Sequence, residues 1–196
     1  MLVWIDTETT GLDFSNDKLL EVAVIITTDN LKVVDRYTSV IKTTKKALRG
    51  MDEWCQTTHG ASGLLDELAT ADKSLKQVEQ EVIALLDKHD LTSRATLAGN
   101  SVHFDRRMLE TRMPRLMARF THQNLDVSAI GLTVKRWTPN VYDYVKKIMK
   151  LSRTDAVQHR ALSDLLDCIE SLRLYKKHTF TTASEEYLIA IGEGGQ

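Results

Sequence analysis

Residues 2–41, LVWIDTETTGLDFSNDKLLEVAVIITTDNLKVVDRYTSVI, read as three strands. Leu2–Asp6 is a short apolar run that ends on charge. Leu19–Thr28 and Lys32–Ile41 are rich in β-branched residues, and Asp29-Asn30 between them is a turn signal. Asn16-Asp17 suits the loop before the second strand. Strands joined so closely in sequence form a meander.

Beyond this stretch the chain turns helical. Ser74–Lys88 carries Leu75, Val78, Val82 and Leu85 at helical spacing, with Ser74 as candidate N-cap. Thr96–Gly99 is a short buried strand candidate. Phe104–Arg112 reads as a helix, and Pro114 ends it or starts the next. Asn124–Val127 is a second short strand candidate, followed by a helix over Ser128–Trp137 that Pro139 terminates. The last helix covers Arg160–His178, with Leu162, Leu165, Ile169 and Leu172 on one stripe. Three strands followed by helices alternating with two short strands predict an α/β fold, a mixed five-stranded sheet flanked by helices. Residues 1–180 are expected to form one domain. Residues 181–196 lose periodicity and end Gly-rich, which predicts a flexible C-terminal tail. Trp4 and Trp137 are expected in the core.

Composition sets limits. A chain of 196 residues with 42% hydrophobic content suits one globular domain. Its 26 Lys and Arg nearly balance 27 Asp and Glu, for a net charge of −1, so total charge neither favours nor excludes a nucleic-acid partner. The lack of a large basic surplus argues against binding long strands. Cys55 and Cys168 are too few for a disulfide framework or a zinc site and read as reduced core thiols. An intracellular protein is expected, in the cytoplasm or alternatively in a mitochondrion. No apolar stretch approaches ~18 residues, so no membrane span is expected. No signal peptide is expected either, because Met1 leads straight into a strand-like segment.

The chemistry-bearing residues fall in three blocks: Asp6-Thr7-Glu8, Asp105 in LAGNSVHFDRRML, and His159 to Asp164 in HRALSD. Residues two apart on a strand share a face, so Asp6 and Glu8 present two carboxylates side by side. Such a pair repels unless a cation lies between, and hard oxygen ligands favour Mg²⁺ or Mn²⁺. Two solvated acids at a strand end would leave the same trace. Asp105 opens a helix, where an acid also suits the helix dipole. Arg106 and Arg107 beside it could serve phosphate or stay solvated. His159 and Asp164 are five apart, about 500° on a regular helix and roughly 140° from a shared face. They converge if His159 lies on the loop before the helix and Asp164 in its second turn. Histidine exchanges protons near neutrality, which suits it to deprotonate water. Taken together, the blocks describe a site for two divalent metals and phosphodiester hydrolysis.

These residues, with MDEWCQTTHGASGL, LDVS and KRW in the same order, resemble the DEDDh exonucleases of the DnaQ-like superfamily, and within it the oligoribonuclease family. The resemblance runs from about Leu2 to Phe180. It implies a ribonuclease H-like fold and a 3′→5′ exoribonuclease that degrades short single-stranded RNA oligomers to nucleoside 5′-monophosphates. It implies two metal ions held by Asp6, Glu8, Asp105 and Asp164, with His159 as general base. Leu12 matches a residue that wedges between two bases, and Trp54 one that stacks on the 3′ base. His59, Ser101 and Ser128 match positions around the substrate phosphates. A homodimer is implied as well. The family's Tyr-Arg pair, which reaches across the dimer to the 5′ phosphate, is replaced here by His122-Gln123. Gln cannot make the bidentate grip of Arg, so a weaker dinucleotide preference is expected. Two alternatives stand beside this reading. One is a 3′→5′ exonuclease on single-stranded DNA or longer RNA with the same site. The other is a nucleic-acid-binding module with a decayed site, against which the five intact residues argue.

Overall fold

The computed structural model describes residues 1–152 and 159–180. Among them, β1 (Leu2–Thr9), β2 (Leu19–Thr27), β3 (Val33–Val40), β4 (Ala95–Gly99) and β5 (Phe120–Asp126) form one sheet in the order β3-β2-β1-β4-β5. β1 and β2, and β2 and β3, pair antiparallel. β4 lies parallel to β1, and β5 parallel to β4. The mixed five-stranded sheet is the expected one. A parallel neighbour for β1 requires a long crossover. α1 (Lys45–Arg49), α2 (Glu53–Ala61), α3 (Leu64–Thr70) and α4 (Leu75–Lys88) lie within it.

Strand alternation divides the core between two faces. On one, Val3, Ile5, Val22, Val24, Ile26 and Leu97 cluster with Val78, Val82 and Leu86 of α4. Met108 and Leu109 of α5 (His103–Arg112) and Leu116 of α6 (Pro114–Met117) complete that layer. On the other face, Trp4, Ala23, Ile25 and Ala98 cluster with Val127 and Val134 of α7 (Val127–Trp137) and Val145 of α8 (Pro139–Ser152). Leu165, Ile169 and Leu172 of α9 (Ala161–Thr179) close it. Every residue of β2 is buried, as a strand covered on both faces should be. A smaller cluster joins Leu20 to Met51, Cys55, Leu64 and Leu68 beneath α2 and α3.

Several sequence expectations hold closely. Ser74 caps α4 in a full capping box with Gln77. Cys55 and Cys168 are free and buried. Others shift. β5 starts at Phe120 rather than Asn124, and Val127 already belongs to α7. Pro139 does more than stop α7: it opens α8, where its missing N–H is no loss. Trp4 is fully buried, but Trp137, expected in the core, is 75% exposed. The buried stripe of α7 runs through Val127, Gly131 and Val134 and meets the helix end at Thr138, leaving the indole outside. The expected tail, 181–196, lies outside the described residues.

Candidate active site

Because β1, β4 and β5 are parallel, their C-terminal ends share one edge of the sheet. That edge gathers residues far apart in sequence. Asp6 and Glu8 continue the alternation of Trp4, so they face the layer that α9 covers. Asp164 sits in the first turn of α9, one turn earlier than expected. Carboxylate oxygens of Asp6, Glu8 and Asp164 all lie within 4.8 Å of one another.

Asp105 comes from the opposite layer. It is the third residue of α5, is buried, and accepts a 2.7 Å hydrogen bond from the Thr7 hydroxyl. Thr7 is the strand residue between Asp6 and Glu8 and points the other way. This placement leaves Asp105 outside the three-carboxylate cluster, yet its charge still bears on Asp6.

The acids disturb one another as unscreened carboxylates must. Burial, then repulsion from Asp105, Glu8 and Asp164, holds the Asp6 carboxyl well above the ordinary carboxylate range. Burial first, then Asp164 and Glu21, pushes Glu8 up to about 8, with Arg160 opposing. Burial pushes Asp105 up to about 7, partly offset by the Thr7 hydrogen bond. An all-oxygen donor set of buried, mutually repelling carboxylates fits hard divalent cations such as Mg²⁺ or Mn²⁺.

Around the acids, the other expected residues form separate groups. His59 is 1% exposed, with Nε2 donating to the Thr9 carbonyl at 2.9 Å and Nδ1 3.8 Å from Glu8. Its free nitrogen therefore looks at the carboxylates, from a buried position rather than an open one. Trp54 and His159 meet edge to face with ring centroids 5.9 Å apart. Trp54 is 62% exposed and Leu12 is 78% exposed, both open to a ligand. Leu12 rides on a loop built around Asp17, which accepts from the Thr10 hydroxyl and the Asp13 N–H. A Cβ on Gly11 would stand 2.5 Å from the Asp17 carboxylate, so a side chain there would push aside the group that holds the loop. Ser101 and Ser128 meet, hydroxyl to hydroxyl, at 3.1 Å, and the Ser101 N–H donates to Asp126. Arg106 is drawn into the fold: its guanidinium donates to Asn124 and to the Thr121 carbonyl.

Sequence reasoning missed Glu21 and Arg160. Glu21 pairs in register with Glu8 across β1 and β2 and is 2% exposed. Arg160 grips it through two nitrogens, at 2.8 and 3.1 Å. The signal was present: an acid inside the apolar run LLEVAVII must find a partner once the strand is buried.

A family model described as Exonuclease (RNase_T) matches residues 3–172. Oligoribonuclease of Nitrosomonas europaea is 38% identical over 180 residues, covering 91% of this chain and 95% of that one. The chain belongs to the oligoribonuclease family of exonucleases. Another oligoribonuclease, from Marinobacter nauticus, is 40% identical over 91% of this chain and 96% of its own. The mitochondrial oligoribonuclease of Bos taurus is 32% identical over the whole of this chain and 80% of its own. Among solved structures, the zinc-bound complex of E. coli exonuclease I with single-stranded DNA superimposes with a TM-score of 0.72 at 16% identity. The match covers 91% of this chain and 40% of that chain. This likeness speaks for the fold alone, which is ribonuclease H-like.

Proposed function

We propose that this chain is a 3′→5′ exoribonuclease that degrades short RNA oligomers to nucleoside 5′-monophosphates. The observation that carries the reading is the convergence of Asp6, Glu8 and Asp164 within 4.8 Å, together with the His159 ring set edge to face against exposed Trp54. Membership of the oligoribonuclease family supports it.

Asp6, Glu8, Asp105 and Asp164 would hold two Mg²⁺ or Mn²⁺ ions, which supply Lewis-acid polarisation of the phosphate and a readily ionised water. His159 takes the proton of the attacking water as the 3′-oxygen departs. Trp54 offers a face on which any base can stack, and Leu12 wedges beside it, so recognition tolerates any sequence. Ser101 and Ser128, hydrogen-bonded to each other just past the ends of β4 and β5, would meet phosphate oxygens. His59, buried with its Nδ1 3.8 Å from Glu8, would act on the phosphate side of the site from beneath the carboxylates. The active form is a homodimer. Trp137 and Phe180 support this, since both are exposed beside an apolar groove of about 230 Å³ that also includes Ile130 and Val134.

The test is incubation with Mn²⁺ and end-labelled RNA and DNA of two to about ten nucleotides, resolved over time. Stepwise 3′ shortening of RNA is expected, faster than of DNA, and abolished by EDTA and by Asp164→Ala. Full turnover in EDTA or in that variant would refute the metal site. Faster cleavage of DNA would refute the RNA assignment.

A further inference from the structure

Arg160 stands between the residue expected to move the proton and the helix that carries Asp164. Its guanidinium makes four hydrogen bonds to two acids on different elements. It donates to both oxygens of Glu21 on β2, at 3.1 and 2.8 Å. It also donates to both oxygens of Glu67 on α3, at 2.6 and 3.0 Å. Glu21 in turn accepts the N–H of Ala161 at 3.2 Å, the first residue of α9. The Arg160 carbonyl accepts the N–H of Asp164 at 3.0 Å. One residue thus fixes the first turn of α9 to the sheet, directly across from Glu8.

His159, the neighbour on the N-terminal side, is held in an unusual state. Its φ is +61°, in the left-handed region that few residues other than glycine adopt. Its ring lies against Trp54 of α2, and α2 packs on α3, which carries Glu67. Arg160 therefore locks the backbone that aims His159 to the same group of helices that presents Trp54. Planar, bidentate geometry of this kind belongs to arginine and is not reproduced by lysine.

We propose that Arg160, clamped between Glu21 and Glu67, is a positioning residue that sets His159 against Trp54 for proton transfer. The proposal rests on the general-base role given to His159 above. A residue that acts through His159 adds nothing once His159 is gone, and this separates positioning from general support of the fold.

The experiment measures kcat and KM on a short RNA with saturating Mn²⁺ for the unaltered chain, Arg160→Met, Glu67→Gln, His159→Ala and the double variants with His159→Ala. Arg160→Met should lower kcat about 10- to 100-fold, the scale of a misplaced reacting group, with KM changed less than about threefold. Glu67 is half exposed, so Glu67→Gln keeps the fold and should show a smaller loss in the same direction. Neither change should lower the rate further in the His159→Ala background. Losses that multiply in the doubles, or an unaltered kcat in both single variants, overturn the proposal. A second readout needs no activity. The His159 ring resonance, identified by its absence in His159→Gln, should carry a ring-current shift from Trp54. That shift should be lost in both Arg160→Met and Trp54→Leu. If it persists in Arg160→Met, the positioning role is wrong. If the unaltered chain fails to cleave RNA while the ring shift behaves as described, the functional reading fails and the clamp stands.

Discussion

At the scale of single residues, the site is a place where like charges are forced together. Burial, and then the neighbouring acids, push Glu8 up to about 8 from an ordinary 4.5, and burial pushes Asp105 up to about 7 from 3.8. An acid that holds its proton more tightly when folded stabilises the fold while protonated and withdraws that stability as it ionises. Metal-free protein should therefore lose stability as pH rises from about 4.5 through about 8. Divalent metal, binding only the folded form, should flatten the trend. Melting curves with EDTA and with Mn²⁺ across this range check it, and Asp6→Asn should shallow the EDTA slope. Equal slopes with and without metal would count against the charge argument. The same reasoning shows what was legible. Asp6, Glu8, Asp105, His159 and Asp164 stand out because acids at strand and helix ends, in this order, are rare together. Glu21 left a trace as an acid in an apolar run, but its partner lies 139 positions away in the chain and only the fold reveals it.

At the scale of elements, long periodic segments were legible and short ones were not. α4 and α9 carry full apolar stripes, and their limits in the sequence and the structure agree closely. α1, α2 and α3 have five, nine and seven residues, too few turns for a stripe to emerge. In α2 the buried positions are Cys55 and His59, neither a typical core signal. Trp54, on that helix, was identified by resemblance and not by pattern. Its open face makes a direct prediction. Stacking of one base on an aromatic ring contributes about 1–3 kcal/mol. Trp54→Ala should raise KM for short RNA by roughly 5- to 150-fold, with Tm little changed because the side chain is mostly outside. Titration of substrate into the variant measures it, and an unchanged KM would return Trp54 to an incidental surface role.

At the scale of the molecule, two expectations concern copies of the chain. Light scattering under active conditions should give twice the 22.2 kDa chain mass, and Trp137→Glu should halve that value by placing a charge in the apolar groove. A monomer in the unaltered protein would refute the dimer. His122 and Gln123 lie exposed on the edge strand β5, where the family resemblance puts the 5′-phosphate cap. A missing charge-assisted contact is worth about 1.5–3 kcal/mol. The ratio of kcat/KM for 5′-phosphorylated two-mers over five-mers should accordingly be small. It should grow when His122→Tyr and Gln123→Arg are made together. A ratio already large in the unaltered chain would mean that another basic group, such as Lys146 in the cleft beside Ser128, reaches that phosphate.

The helix that delivers Asp164 is also the one that lays Leu165, Ile169 and Leu172 over Trp4, Ala23 and Ile25. During refolding, the β1–β2–β3 meander can assemble from near neighbours, whereas docking of α9 must wait for contacts spanning most of the chain. A partly folded molecule then holds Asp6 and Glu8 but lacks their third partner, and the part of the sheet face that α9 covers stays bare. Gain of nuclease activity should coincide with the last cooperative step, and in denaturant, activity and near-ultraviolet circular dichroism should disappear at one midpoint. An intermediate that has lost α9 would be hydrolytically silent, so RNA is exposed to this chemistry only once the whole domain has closed.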